Sequence, residues 1–175
     1  HILDIGAWVG TWSMAMNKYC GRILAFEPDP LNYSCLVKNV TGDIETHQLA
    51  VGSEDKLISL TKDDFTQSKR VAGDGQIPMI TIDSLKIDDI DLIKIDVEGY
   101  EMEVLKGAQK SLKNVKYIMI ELNNNTKKYG SNNKEIEEYL QKKSEFLSQQ
   151  EMQRQKMSQQ LAREDRWCKR IKDRP

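Results

Sequence analysis

The chain has 175 residues, enough for one domain with a sizeable core and too few for a second catalytic domain. Its 26 Lys and Arg nearly balance 27 Asp and Glu, a net charge of −1 that excludes the basic field needed to draw nucleic acid or anionic lipid. Cys20, Cys35 and Cys168 form neither a disulfide framework nor a metal knuckle, and no apolar run approaches the ~20 residues of a membrane span, so reduced thiols, no membrane partner and a cytoplasmic location are expected.

In chain order, Ile2–Ile5 is a short apolar run, followed by a glycine-bearing turn and a helical pattern over Trp12–Tyr19. Arg22–Phe26 reads as a second strand and Pro30–Val40 as a second helix, with proline near its first turn. Glu45–Val51 reads as a third strand. Leu57–Lys62 carries strand signals that give way to the polar stretch Asp63–Gln76, with Gly73 and Gly75, the chemistry of a loop or lid. Ile90–Asp96 and Tyr117–Leu122 read as the last strands, with a helix over Tyr100–Leu112 after the Gly99 turn. These runs are continuous rather than alternating, so they predict strands covered on both faces: an α/β fold with a doubly wound, mostly parallel sheet.

From Asn123 the composition turns to Asn, Gln, Lys, Glu and Arg, which predicts a core over 1–123 and a polar helical tail over 124–175. An intermittent seam of Ile136, Leu140, Leu147, Met157 and Leu161 suits docking on a sheet edge or on a second copy, hence a homo-oligomer through the tail.

Three constellations carry chemistry. Leu3-Asp4-Ile5-Gly6-Ala7-Trp8-Val9-Gly10-Thr11 joins a strand to a helix through a turn where Gly6 and Gly10 let backbone approach a ligand. Trp8 and Thr11 stand where a dinucleotide fingerprint needs glycine, which disfavours a nucleotide-dependent oxidoreductase and suits a smaller ligand with an amino-acid tail. Alternatively, the turn merely packs strand on helix. Glu27, at the end of the second strand, stands where a ribose would be bound or where it caps the next helix, a role Asp29 fills better. Lys94, Asp96 and Glu98 share one face of the fourth strand, so Lys94 is expected to neutralise Asp96 or Glu98, as a catalytic group or as a structural ion pair.

These blocks, with Thr81-Ile82-Asp83-Ser84-Leu85 and the stretch Asp91-Leu92-Ile93-Lys94-Ile95-Asp96-Val97-Glu98-Gly99-Tyr100-Glu101 running on to Leu105-Lys106-Gly107-Ala108, resemble the FkbM family of methyltransferases over residues 1–123. The resemblance implies a Rossmann-like class I methyltransferase fold, S-adenosylmethionine as donor, and O-methylation of hydroxyls on sugars or glycosylated natural products. By position it implies Asp4, Gly6, Ala7 and Gly10 at the donor's amino-acid end, Glu27 at its ribose, and Asp96 and Glu98 as active-site acids. The tail departs from the fold's usual final strands, which keeps a non-catalytic binding or assembly module as an alternative.

Histidine is scarce, and His47 lies inside a presumed strand, so the proton acceptor is sought among carboxylates. Asp96, Glu121 and Asn123 supply oxygens suited to Mg²⁺, which would acidify an acceptor hydroxyl; alternatively, Glu121 binds the acceptor directly.

Overall fold

The apolar runs form short strands joined through helices. The chain folds as β1 (Ile2–Ile5), α1 (Thr11–Asn17), β2 (Ile23–Phe26), α2 (Pro30–Asn39), β3 (Ile44–His47), β4 (Ala50–Val51), β5 (Lys56–Ile58), β6 (Ile77–Ile80), β7 (Leu92–Ile95), α3 (Glu101–Lys106), β8 (Tyr117–Ile120) and α4 (residues 133–145). The computed structural model describes residues 1–61 and 71–145.

Five strands make one parallel sheet in the order β3-β2-β1-β7-β8. Leu3, Ile23, Ile93 and Phe26 are essentially without solvent exposure, which is why these strands read as unbroken apolar text. Strand order reverses between β1 and β7, and the crevice above their carboxyl ends is where ligands sit in such sheets. This is the doubly wound parallel arrangement that the apolar runs predict and the Rossmann-like class I fold that the resemblance implies.

A second sheet, in the order β4-β6-β5, corrects the third predicted strand. Glu45–Val51 is not continuous: Ile44–His47 pairs with β2, while Ala50–Val51 turns away to pair with Met79 and Ile80 of β6. Strand β6 has no counterpart in the sequence reading because Pro78 disguises it. Pro78 stands opposite Leu57 in the antiparallel pair with β5. Lys62 and residues 63–70 of the expected loop lie outside those described.

The helix expected over Tyr100–Leu112 ends at Lys106. A Cβ on Gly107 would fall 1.9 Å from the Gly52 carbonyl oxygen, so the backbone there abuts the β4–β5 connection. Asp83 then holds the following turn, accepting from the backbone N–H groups of Lys110 and Ser111 and from the Ser111 hydroxyl. This gives the Thr81–Leu85 block a structural task.

One compact unit spans His1–Ile136, so the chain beyond residue 123 contributes Thr126 and Ile136 to its interior. The second unit begins at Glu137. Leu147, Met157 and Leu161 of the expected seam lie outside the described residues. Among those described, no helix is long and apolar enough to cross a membrane.

Candidate active site

The turn after β1 relies on left-handed backbone at three positions: Gly6 (φ 79°), Trp8 (φ 51°) and Gly10 (φ 88°). A Cβ on Gly6 would lie 1.9 Å from the Asp96 carbonyl oxygen, so glycine lets the turn press against the end of β7. Gly10 serves packing instead, because a Cβ there would meet Leu36 and Val40 of the α2 region.

Glu27 is buried, with 6% exposure, at the carboxyl end of β2. One of its oxygens accepts from Trp8 N–H at 2.9 Å and the other from Asp29 N–H at 3.0 Å. Burial pushes its carboxyl pKa up, while the Asp29 and Trp8 amides and the Asn32 side chain pull it back. Asp29 is the helix cap, accepting from Leu31 and Asn32 N–H at 3.0 Å each. Glu27 is thereby free of the capping role.

On β7, the Lys94 ammonium lies 3.0 Å from Asp4 and 3.4 Å from Asp96, and donates to the Gly6 carbonyl at 2.8 Å. Its neutralising partners are thus Asp4 and Asp96, not Glu98. Asp4 is wholly buried and also accepts from the Ser13 hydroxyl at 2.6 Å. The period-two face breaks at Glu98, whose φ of 56° turns it toward Asn123 and Asn125; their side-chain amides donate to one Glu98 oxygen at 3.2 and 2.9 Å. Glu101, buried at the start of α3, accepts from Gly99 N–H at 2.9 Å, and its second oxygen has no hydrogen-bond partner among the described residues. Burial raises the Glu101 carboxyl pKa, with the nearby charge of Asp96 acting in the same direction.

Two clefts open at this end of the sheet. The first is lined by Gly6, Glu27, Glu98 and Tyr100, with the apolar stretch Leu49–Val51. The second is lined by Ala7, Trp12, Lys94, Met119 and Glu121. Gly6, Trp8 and Asp96 line both. Of the expected site residues, Asp4, Gly10 and Asn123 line neither; Asp4 acts through Lys94, Gly10 through helix packing and Asn123 through Glu98. Tyr100, Trp12 and Asn125 enter without having been singled out for a role, although the Asn123-Asn124-Asn125 run that marks the composition shift contained the last of them.

The Mg²⁺ set fits this geometry poorly. Asn123 uses its side-chain oxygen on Asn125 N–H at 2.9 Å, and the Lys94 ammonium already stands beside Asp96. Among the described residues no cluster of three or more His, Cys, Asp or Glu could hold a metal ion.

Residues 4–147 match the Methyltransferase FkbM domain. The chain belongs to the FkbM methyltransferase family. Among proteins similar to this family member is Hexuronic acid methyltransferase AglP of Haloferax volcanii, 26% identical over 130 residues, covering 68% of this chain and 54% of the relative. Another is Methyltransferase 1 of Beauveria bassiana, 28% identical over 142 residues, covering 61% of this chain and 57% of the relative. The chain thus spans about half the length of the curated relatives it matches. It is also similar to the crystal structure of Methyltransferase FkbM from Methylobacillus flagellatus KT, at 26% identity with a TM-score of 0.49, over 68% of this chain and 32% of that one.

Proposed function

We propose that this FkbM-family chain transfers a methyl group from S-adenosylmethionine to a hydroxyl of a sugar or of a glycosylated molecule. The observation that carries the reading is Glu27, a buried carboxylate that lines the first cleft beside the bare backbone of Gly6. An ionised carboxylate has about four acceptor positions, so the donors already on Glu27 leave capacity for ribose hydroxyls. The donor fits the first cleft on this chemistry: ribose at Glu27, the adenine ring against the apolar stretch Leu49–Val51, and the amino-acid tail toward the Gly6 turn.

When bound, S-adenosylmethionine supplies a methyl group on a positively charged sulfur, which keeps the bonding electron pair as the acceptor oxygen takes the carbon. The chain's share of the work is to position the acceptor and remove its proton. Asp96, which faces both clefts, accepts the hydroxyl proton. Lys94 holds the Asp96 carboxylate and ties it to the Gly6 carbonyl, so donor turn and base are fixed by one ammonium. No metal takes part in this reading. Sugar acceptors are favoured by the relative named as a hexuronic acid methyltransferase.

The test is to incubate the chain with S-adenosylmethionine and a panel of methyl glycosides, following formation of S-adenosylhomocysteine and methylated sugar by mass spectrometry. Transfer to a hydroxyl is the expected outcome. Failure to bind S-adenosylhomocysteine in calorimetry would overturn the donor assignment.

A further inference from the structure

Resting on the function proposed above, we infer that the second cleft is the acceptor subsite, built to seat a neutral pyranose ring against Trp8 and Trp12 with its hydroxyls on Asp96 and Glu121. Its position comes first. Gly6, Trp8 and Asp96 line both clefts, so a ligand in the second meets a ligand in the first only across these three residues. A methyl group leaving the first cleft has to cross that seam.

Its lining supplies the ligand class. Two tryptophans four positions apart line one cleft, and Trp8 stays 38% exposed although its backbone is held in a left-handed conformation. A bulky residue in that conformation is strained, and such strain persists where surrounding structure over-determines it; here Glu27 grips the Trp8 N–H. An aromatic face carries partial negative charge and packs against weakly positive C–H groups, which a pyranose presents on one side of its ring. Carboxylates accept hydrogen bonds from the hydroxyls at the ring's edge.

The charge selects further. Lys94 is the cation in the lining, and its ammonium is already engaged by Asp4, Asp96 and the Gly6 carbonyl. Asp96 and Glu121 therefore leave the cleft net negative, which favours an uncharged ring over a sugar acid.

The test uses the full chain saturated with S-adenosylhomocysteine, with methyl β-D-glucopyranoside, methyl β-D-galactopyranoside and methyl β-D-glucuronide as probes in saturation-transfer NMR. Trp12→Ala is expected to weaken binding of a neutral glycoside about tenfold or more while leaving S-adenosylhomocysteine affinity within about twofold. Glu121→Gln, at an exposed position that does not endanger folding, is expected to weaken the neutral glycosides severalfold. Unchanged glycoside binding in both variants overturns the subsite. Tighter binding of the glucuronide than of the neutral sugars overturns the charge selection, and no sugar signal from wild-type chain that binds S-adenosylhomocysteine overturns the sugar assignment. A chain that binds neither overturns the function reading itself and the subsite with it.

Discussion

Asp4 and Lys94 are register partners on the adjacent parallel strands β1 and β7, and the ammonium of one stands 3.0 Å from the carboxylate of the other. Because Asp4 is wholly buried, this ion pair sits in the sheet itself, directly beneath the turn whose Gly6 carbonyl also receives Lys94. Parallel register thus couples the first glycine block of the sequence to the charged block some ninety residues later.

Replacing Lys94 with Met should therefore cost about 3–5 kcal/mol of stability, because it strands a buried carboxylate. Asp4→Asn in the same chain should recover part of that loss. Urea denaturation of the four chains of this double-mutant cycle measures the coupling, and additivity of the two single effects would show that the pair does not interact.

Gly6→Ala should be tolerated badly for two separate reasons. The backbone is left-handed, and the new methyl would lie 1.9 Å from the Asp96 carbonyl oxygen. Left-handed cost and overpacking together amount to about 2–5 kcal/mol. The midpoint of thermal unfolding should fall accordingly, and S-adenosylhomocysteine affinity should fall with it if the donor lies on this turn as proposed. An alanine variant as stable as wild type would show that the turn has room the structure denies.

The middle of the central sheet was legible because β1, β2 and β7 are buried on both faces and so read as uninterrupted apolar runs. The small sheet was not, because β4 has two residues and β6 contains a proline, and pairing between distant segments leaves no local period. Gly6, Glu27 and Asp96, singled out in the sequence, line the first cleft at the carboxyl end of the sheet. Of the two expected partners of Lys94, Asp96 is one and Glu98 is not, because the period-two rule stops where the chain turns left-handed at Glu98, a conformation that residue type alone does not announce. The pairing of Asp4 with Lys94 was not legible, because it depends on burial and register, which are properties of the assembled sheet.

Glu101 gives a pH dependence with a definite sign. Its carboxyl pKa lies above the ordinary 4.5 in the folded chain because burial disfavours the charge. The folded state therefore holds the proton more tightly than the unfolded chain, and the resulting stability is fully present below the unfolded value and is lost as pH rises through the folded one. Glu101→Gln removes this dependence. The variant should gain on wild type as pH rises above the ordinary carboxyl value of 4.5, measured as the difference in urea midpoints at several pH values. A difference that does not change with pH would mean that Glu101 titrates alike in both states.

Glu27 and Asp96 should separate donor binding from turnover. Glu27→Ala removes a carboxylate whose charge-assisted bonds to a ribose are worth about 1.5–3 kcal/mol, so S-adenosylhomocysteine affinity in calorimetry should fall about tenfold or more. The variant also leaves the Trp8 and Asp29 amides without their acceptor, so Glu27→Gln, which restores an acceptor oxygen for one of them, should lose less. Asp96→Asn keeps the shape of the seam between the clefts but offers no carboxylate to take the acceptor proton. Donor-product affinity should stay within a few fold, while turnover with a competent glycoside should fall by about 10²–10⁴, the usual contribution of general-base catalysis. Loss of donor binding in Asp96→Asn with turnover intact in Glu27→Ala would reverse the two assignments and place the donor in the other cleft.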